Sequence, residues 1–141
     1  MPNTFPIDEC GEAVARIDHI GIVVQDLGDA IAHFTGNYGF REDSRQRIEA
    51  VGAESAFLSI AGQSVQLLQP FAPGSIRSYL EERGQGVHHL CLEVPHIEDA
   101  LAALPGEMDT PVVTGGRGKR TCFLADDRFG VVIELSQSPQ S

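Results

Sequence analysis

Tryptophan is absent from this chain, tyrosine occurs twice, and only ten of the 141 residues are lysine or arginine. The shortage of cations excludes most. Set against twenty acids it leaves a formal net charge of -10 and an isoelectric point near 4.7. Such a surface repels phosphate backbones and anionic lipid, so neither a nucleic acid nor a membrane is an expected partner. Cysteine is scarce as well: Cys10, Cys91 and Cys122 are odd in number and form no CxxC pair, so free thiols are expected rather than a disulfide framework. No apolar run approaches the roughly 20 residues of a membrane helix. The opening MPNTFPIDECGE carries acids and two prolines where a secretory signal has a basic start and an apolar stretch, and the expected location is cytoplasmic. What is present is ordinary for one globular domain: 42% of residues are hydrophobic, and 141 residues suffice for one core but not two.

The chain repeats itself. IDHIGIVVQDLGDAI, residues 17 to 31, aligns without a gap on VHHLCLEVPHIEDAL, residues 87 to 101. Both read as an apolar strand, a polar break and a short helix, with Asp26 and His96 near the helix starts. The offset is 70, so His19 falls on His89. A second pair of apolar segments closes each half and sets Gln66 opposite Glu134, at an offset of 68. Between these landmarks lie further strand-like stretches: REDSRQRIEA and ESAFLSI in the first half, PVVT and KRTCFLA in the second. APGSIRSYLEERGQG reads as a connecting helix, with Ser75 as its N-cap and Gly84 as its stop. The expected fold class is α+β, with two βαβββ modules forming one curved mixed sheet around a metal site. The expected divisions are a tail at 1–14 and one domain at 15–136, followed by a tail at 137–141. Within the domain, module one spans 16–70, the connecting helix 74–84 and module two 86–136.

Strand parity selects the same residues as the repeat. Alternate side chains share a face, so Ile20, Ile22 and Val24 point toward the helices, with His19, Gly21 and Val23 opposite. Likewise Leu90, Leu92 and Val94 oppose His89, Cys91 and Glu93. His89, not His88, is the mate of His19. A pseudo-two-fold axis would bring His19, Gln66, His89 and Glu134 together. Two imidazoles, an amide oxygen and one carboxylate suit a borderline divalent cation: Co²⁺, Mn²⁺, Ni²⁺ or Fe²⁺ in octahedral form, or Zn²⁺. One carboxylate leaves such an ion with a net charge of about +1, which favours a dianionic substrate or a developing enolate.

At these residues the chain resembles the vicinal-oxygen-chelate superfamily of glyoxalases, extradiol dioxygenases, resistance proteins and methylmalonyl-CoA epimerases. Within it, the similarity is greatest to the methylmalonyl-CoA epimerases. IDHIGIVV resembles their opening strand, VQLLQPFAPGSIRSYLEERGQGVHHLCLEV their second metal strand, connecting helix and double-histidine strand, and GVVIELSQ their closing strand. The resemblance implies His19, Gln66, His89 and Glu134 as metal ligands and a homodimer as the assembly. It also implies an isomerase acting on a small-molecule substrate, an acyl-CoA such as a 2-substituted malonyl-CoA. The metal would acidify the C2 proton by stabilising an enolate, and protein bases would remove and return that proton.

The family's catalytic glutamate falls within the stretch matched here by VGAESAFLSI. An ungapped match puts Ser55 at its position, with Glu54 one residue earlier and Glu49 just upstream. The candidate bases are therefore Glu134, Glu54 and Glu49. Ala125-Asp126 stands where the family often has His-Pro. In GGRGKR, residues 115 to 120, Arg117, Lys119 and Arg120 are candidate contacts to CoA phosphates, with a plain β-turn as the other reading. Two rivals stay open: another metal-dependent isomerase, lyase or oxygenase on an oxygen-chelating substrate, and a metal-free drug-binding protein.

Overall fold

The computed structural model describes residues 13–105 and 107–138. Module one runs β1 (Arg16–Val23), α1 (Leu27–Tyr38), β2 (Arg41–Ile48), β3 (Ala53–Ile60) and β4 (Gln63–Pro70). Helix α2 (Ser75–Arg83) leads into module two: β5 (Gly86–Val94), α3 (Ile97–Ala103), β6 (Val113–Thr114), β7 (Arg120–Phe123) and β8 (Val132–Gln137). The eight strands form a single curled sheet in the order β2-β3-β4-β1-β5-β8-β7-β6. Each module is thus one half of the sheet, and the halves join along β1 and β5. This is the paired βαβββ architecture expected from the repeat, with a short final edge: β6 holds two residues where PVVT promised four.

The registers show the pseudo-symmetry directly. β1 lies parallel to β4 with Gly21 beside Gln66, and β5 lies parallel to β8 with Cys91 beside Glu134. Along the antiparallel seam Ile20 faces Leu90, His19 faces Cys91 and Gly21 faces His89. Exchanging the halves maps the second of these pairs onto the third, so the local axis passes through Ile20 and Leu90.

Three apolar clusters hold the layers. Helix α1 buries Leu27 and Ile31 against Val24, Ala56, Leu58 and Leu67. Helix α3 buries Ile97 and Ala100 against Val94, Cys122, Leu124 and Leu135. Helix α2 seats Ile76 on Val23, Ala53 and Leu68 at one end of the sheet. Each fully buried side chain of this size contributes about 1.5–3 kcal/mol. Ile20 and Leu90, expected under helices, belong to none of these clusters. With Val87, Phe129, Val131 and Ile133 they line an open apolar cavity of about 370 Å³.

The helix starts differ from expectation in an instructive way. Asp26 caps α1 as expected, its side chain accepting from Asp29 N–H at 2.8 Å. His96 makes no side-chain cap on α3, and Gly74, not Ser75, is the N-cap of α2. The first N–H of α1 goes instead to Gln69 Oε1 at 2.7 Å, and the first N–H of α3 to Gln137 Oε1 at 3.0 Å. Gln69 and Gln137 are themselves a repeat pair at offset 68. Ordered packing extends past 15–136 at both ends: Ala13 joins the α3 cluster, and Gln137 is the last residue of β8. Cys10 lies outside the described residues, while Cys91 and Cys122 are free and buried. Among the described residues, no helix is long and apolar enough to cross a membrane.

Candidate metal centre

The two histidines reach one another because the seam places them diagonally across the axis. His19 projects from β1 opposite Cys91, and His89 projects from β5 onto Gly21. Only glycine fits at position 21: a Cβ there would lie 2.0 Å from His89 Cε1, inside the ring's own volume. The Nε2 atoms of His19 and His89 are 3.2 Å apart. Glu134 Oε1, from β8, lies 3.3 Å from His19 Nε2 and 3.2 Å from His89 Nε2. All three residues are buried, and Glu134 Oε1 has no hydrogen-bond partner among the described residues, so neither ring meets it in bonding geometry.

A buried carboxylate oxygen without a partner is costly unless something positive completes it. A divalent ion bound at about 2.0–2.2 Å spaces its neighbouring donors from roughly 2.8 Å apart in octahedral geometry to roughly 3.6 Å in tetrahedral geometry. The three edges of this triangle fall in that window, and the donor set fits the expected ion. Gln66 lies on the same side. It lines a small cavity of about 20 Å³ with His89, Glu134, Gly116, Thr121 and Phe123. Its Nε2 donates to Ser55 Oγ at 2.9 Å, which leaves its carbonyl oxygen as the free donor atom.

Behind each histidine stands a polar residue that the repeat analysis passed over. Asp18 Oδ2 accepts from His19 Nδ1 at 2.7 Å, and His88 Nδ1 is 2.9 Å from His89 Nδ1. Positions 18 and 88 are mates at offset 70, and a polar residue buried just before each ligand was the signal available. Burial raises the Asp18 carboxyl, but the His19 hydrogen bond and the Arg117 guanidinium outweigh it and hold Asp18 well below the usual carboxylate range. Glu134 behaves alike: burial works to raise it, and the two imidazoles keep it ionised. Burial also works against a proton on His19, yet Asp18 and Glu134 raise its pKa. His88 is lowered to about 4, chiefly by burial and then by His89, so it stands neutral.

The other expected site residues lie elsewhere. Ser55 is buried and faces Gln66, whereas Glu54 is half-buried and pairs with Arg47 at 3.3 Å. The one-residue offset puts Glu54 on the far face of β3, as strand parity requires. Glu49 sits in a single 3-10 turn after β2, exposed and 2.8 Å from Arg47, at the rim of a cavity of about 270 Å³. That cavity shares Val51, Thr121 and Phe123 with the small one, so it opens toward the centre. The cations of the 115–120 turn are all engaged. Arg117 pairs with Asp18, Lys119 with Glu93 at 3.2 Å and Asp18 at 3.5 Å, and Arg120 with Glu98 at 2.6 Å.

Comparison with known proteins agrees with this fold. The family model for the glyoxalase/bleomycin resistance protein/dioxygenase superfamily matches residues 18–137. The ethylmalonyl-CoA/methylmalonyl-CoA epimerase of Cereibacter sphaeroides is 30% identical over 134 residues, covering 88% of this chain and 98% of that protein. The crystal structure of methylmalonyl-CoA epimerase from Mycobacterium tuberculosis superposes with a TM-score of 0.85 at 25% identity, over 99% of this chain and 94% of that one. A variant of the Streptomyces coelicolor methylmalonyl-CoA epimerase, in complex with 2-nitronate-propionyl-CoA, gives 0.83 at 28% identity, over 91% and 100%. In sequence and in fold, the chain belongs to the glyoxalase/bleomycin resistance protein/dioxygenase superfamily.

Proposed function

We propose that the protein is an isomerase, an epimerase of a 2-substituted malonyl-CoA that works with one divalent metal held by His19, Gln66, His89 and Glu134. The observation that carries this reading is the triangle of His19 Nε2, His89 Nε2 and the unpartnered Glu134 Oε1, buried in a fold whose relatives bear epimerase names. A divalent cation supplies positive charge that makes the C2 proton of such a thioester easier to remove. Glu134, the carboxylate of the triangle, is assigned as base as well as ligand. Glu49, at the rim of the outer cavity, is assigned the opposite face. Glu54, turned to Arg47 across β3, receives no role. Arg120 is the assigned phosphate contact, because its partner Glu98 is an exposed surface acid, whereas Arg117 and Lys119 are committed to the buried Asp18. The same reading includes a homodimer, formed through the apolar face around Phe129, which is 85% exposed.

One observation favours a neighbouring reading. A hydroxyl, Ser55, faces Gln66 at the position where the family resemblance implies a glutamate, and this suits a different oxygen-chelating substrate. The test is C2 proton exchange. Metal-reconstituted protein is incubated with methylmalonyl-CoA in D₂O beside His89→Ala, and deuterium at C2 is followed by mass spectrometry. The expected result is metal-dependent incorporation at least a hundredfold above the variant. Absence of exchange with metal still bound removes the epimerase reading in favour of the second.

A further inference from the structure

The two ligand histidines are supported by unlike neighbours. His89 is backed by a neutral imidazole, His19 by a carboxylate that is fully buried and has four partners. Asp18 takes His19 Nδ1 at 2.7 Å on Oδ2 and Arg16 at 3.0 Å on Oδ1, with Lys119 at 3.5 Å. The fourth partner, Arg117, comes from the glycine turn, 99 residues away. Arg117 is built for this contact. Its backbone sits in the left-handed region at φ 61°, a conformation costing a non-glycine residue about 1–3 kcal/mol unless the surroundings impose it. Its N–H donates to Gln46 Oε1 at 2.8 Å, and its guanidinium lies 4.1 Å over the Phe57 ring, which itself meets His19 edge-on.

We propose that Asp18 is the positioning residue of the centre: it fixes His19 as the Nδ1–H tautomer, so that Nε2 presents its lone pair beside His89 Nε2 and Glu134 Oε1. An ionised carboxylate only accepts, so a 2.7 Å contact makes Nδ1 the donor. Three cations, Arg16, Arg117 and Lys119, converge on both oxygens of this one acid and hold it in place behind His19. Arg117 and Lys119 therefore serve the centre through Asp18 rather than facing a ligand of their own. This inference rests on the metal reading for its purpose, but its geometry is testable without metal.

Two measurements decide it. In the chelator-treated protein, taken to alkaline pH where the His19 imidazolium favoured by Asp18 and Glu134 has lost one proton, ¹⁵N-detected imidazole spectra are expected to show the remaining proton on Nδ1 and none on Nε2. Asp18→Asn is expected to lose that tautomer, as carboxamides in place of histidine-orienting carboxylates do. Equilibrium dialysis with Co²⁺ is expected to give 10–100-fold weaker binding for Asp18→Asn, the range found when a ligand histidine loses its outer partner. If the single variant does not fold, Asp18→Asn with Arg117→Gln removes both charges of the ion pair and carries the same expectations. Neutral His19 found with its proton on Nε2 in the native protein, or Co²⁺ binding within twofold of native in either variant, overturns the proposal. Native protein that binds no Co²⁺ defeats the metal reading instead, and the tautomer alone then decides this one.

Discussion

Gly21 shows how one side chain's absence shapes the centre. Its mate in the second half is Cys91, which faces His19 without crowding it, whereas the His89 ring occupies the space where a Cβ of residue 21 would be. Gly21→Ala must push that ring aside, because β1 and β5 are locked on either side. Overpacking of this kind costs about 1–3 kcal/mol, and an ångström of displacement is enough to open the triangle. The expected outcome is a chelator-treated protein that still melts cooperatively by circular dichroism, with Co²⁺ affinity at least tenfold below native by dialysis. Affinity equal to native would show that the ring finds another seat. Position 21 was legible only as an apolar-strand glycine. That it must be glycine depends on a ring 68 residues away. Ser55 against Glu54 was easier, since parity alone decides which side chain of β3 faces Gln66. Arg117 was harder: a cation beside glycines looks solvated until its acid, at position 18, is known.

The same distinction holds for helices and strands. Periodicity found α1, α3 and the connecting α2 because each buries a stripe spaced by three or four residues. It did not find what begins them. Gln69 and Gln137 each reach from the end of a closing strand to the first N–H of their module's helix, in place of a local cap on that group. Such a bond joins residues about 40 apart and leaves no local pattern. Losing a helix-start acceptor costs about 0.5–2 kcal/mol. Gln137→Ala, whose helix has no side-chain cap from His96, is expected to lose near 1 kcal/mol or more by urea denaturation. Gln69→Ala should lose less, because Asp26 still caps α1. Equal losses would show that the two caps do not share their load in this way. The short β6 was misjudged for a similar reason: PVVT has the β-branched composition of a strand, but only Val113 and Thr114 have a partner across from them, Thr121 and Arg120.

Across the fold, the repeat makes the sheet legible from sequence, because the two offsets of 70 and 68 place four polar residues at equivalent points. The outer surface was less legible. Ile20, Val87 and Phe129 are 39%, 45% and 85% exposed, and the cavity they help line is almost wholly apolar. Contiguous apolar surface of this kind on an otherwise acidic molecule marks an interface. Light scattering coupled to size exclusion is expected to report a dimer, and Phe129→Glu a monomer with unchanged Co²⁺ affinity. A native monomer at tens of micromolar would rule out pairing through this face.

The axis through Ile20 and Leu90 carries one more consequence. Two identical half-chains meeting across it would have to be alike at every mated position, offering the ion either two glutamines or two glutamates. The ion would then keep its full double charge or lose it entirely. Gln66 and Glu134 can differ only because both halves belong to one polypeptide and are free to diverge. An intermediate charge, for an ion held by these four residues, is thus open to a single chain carrying both halves and closed to any assembly of two identical halves.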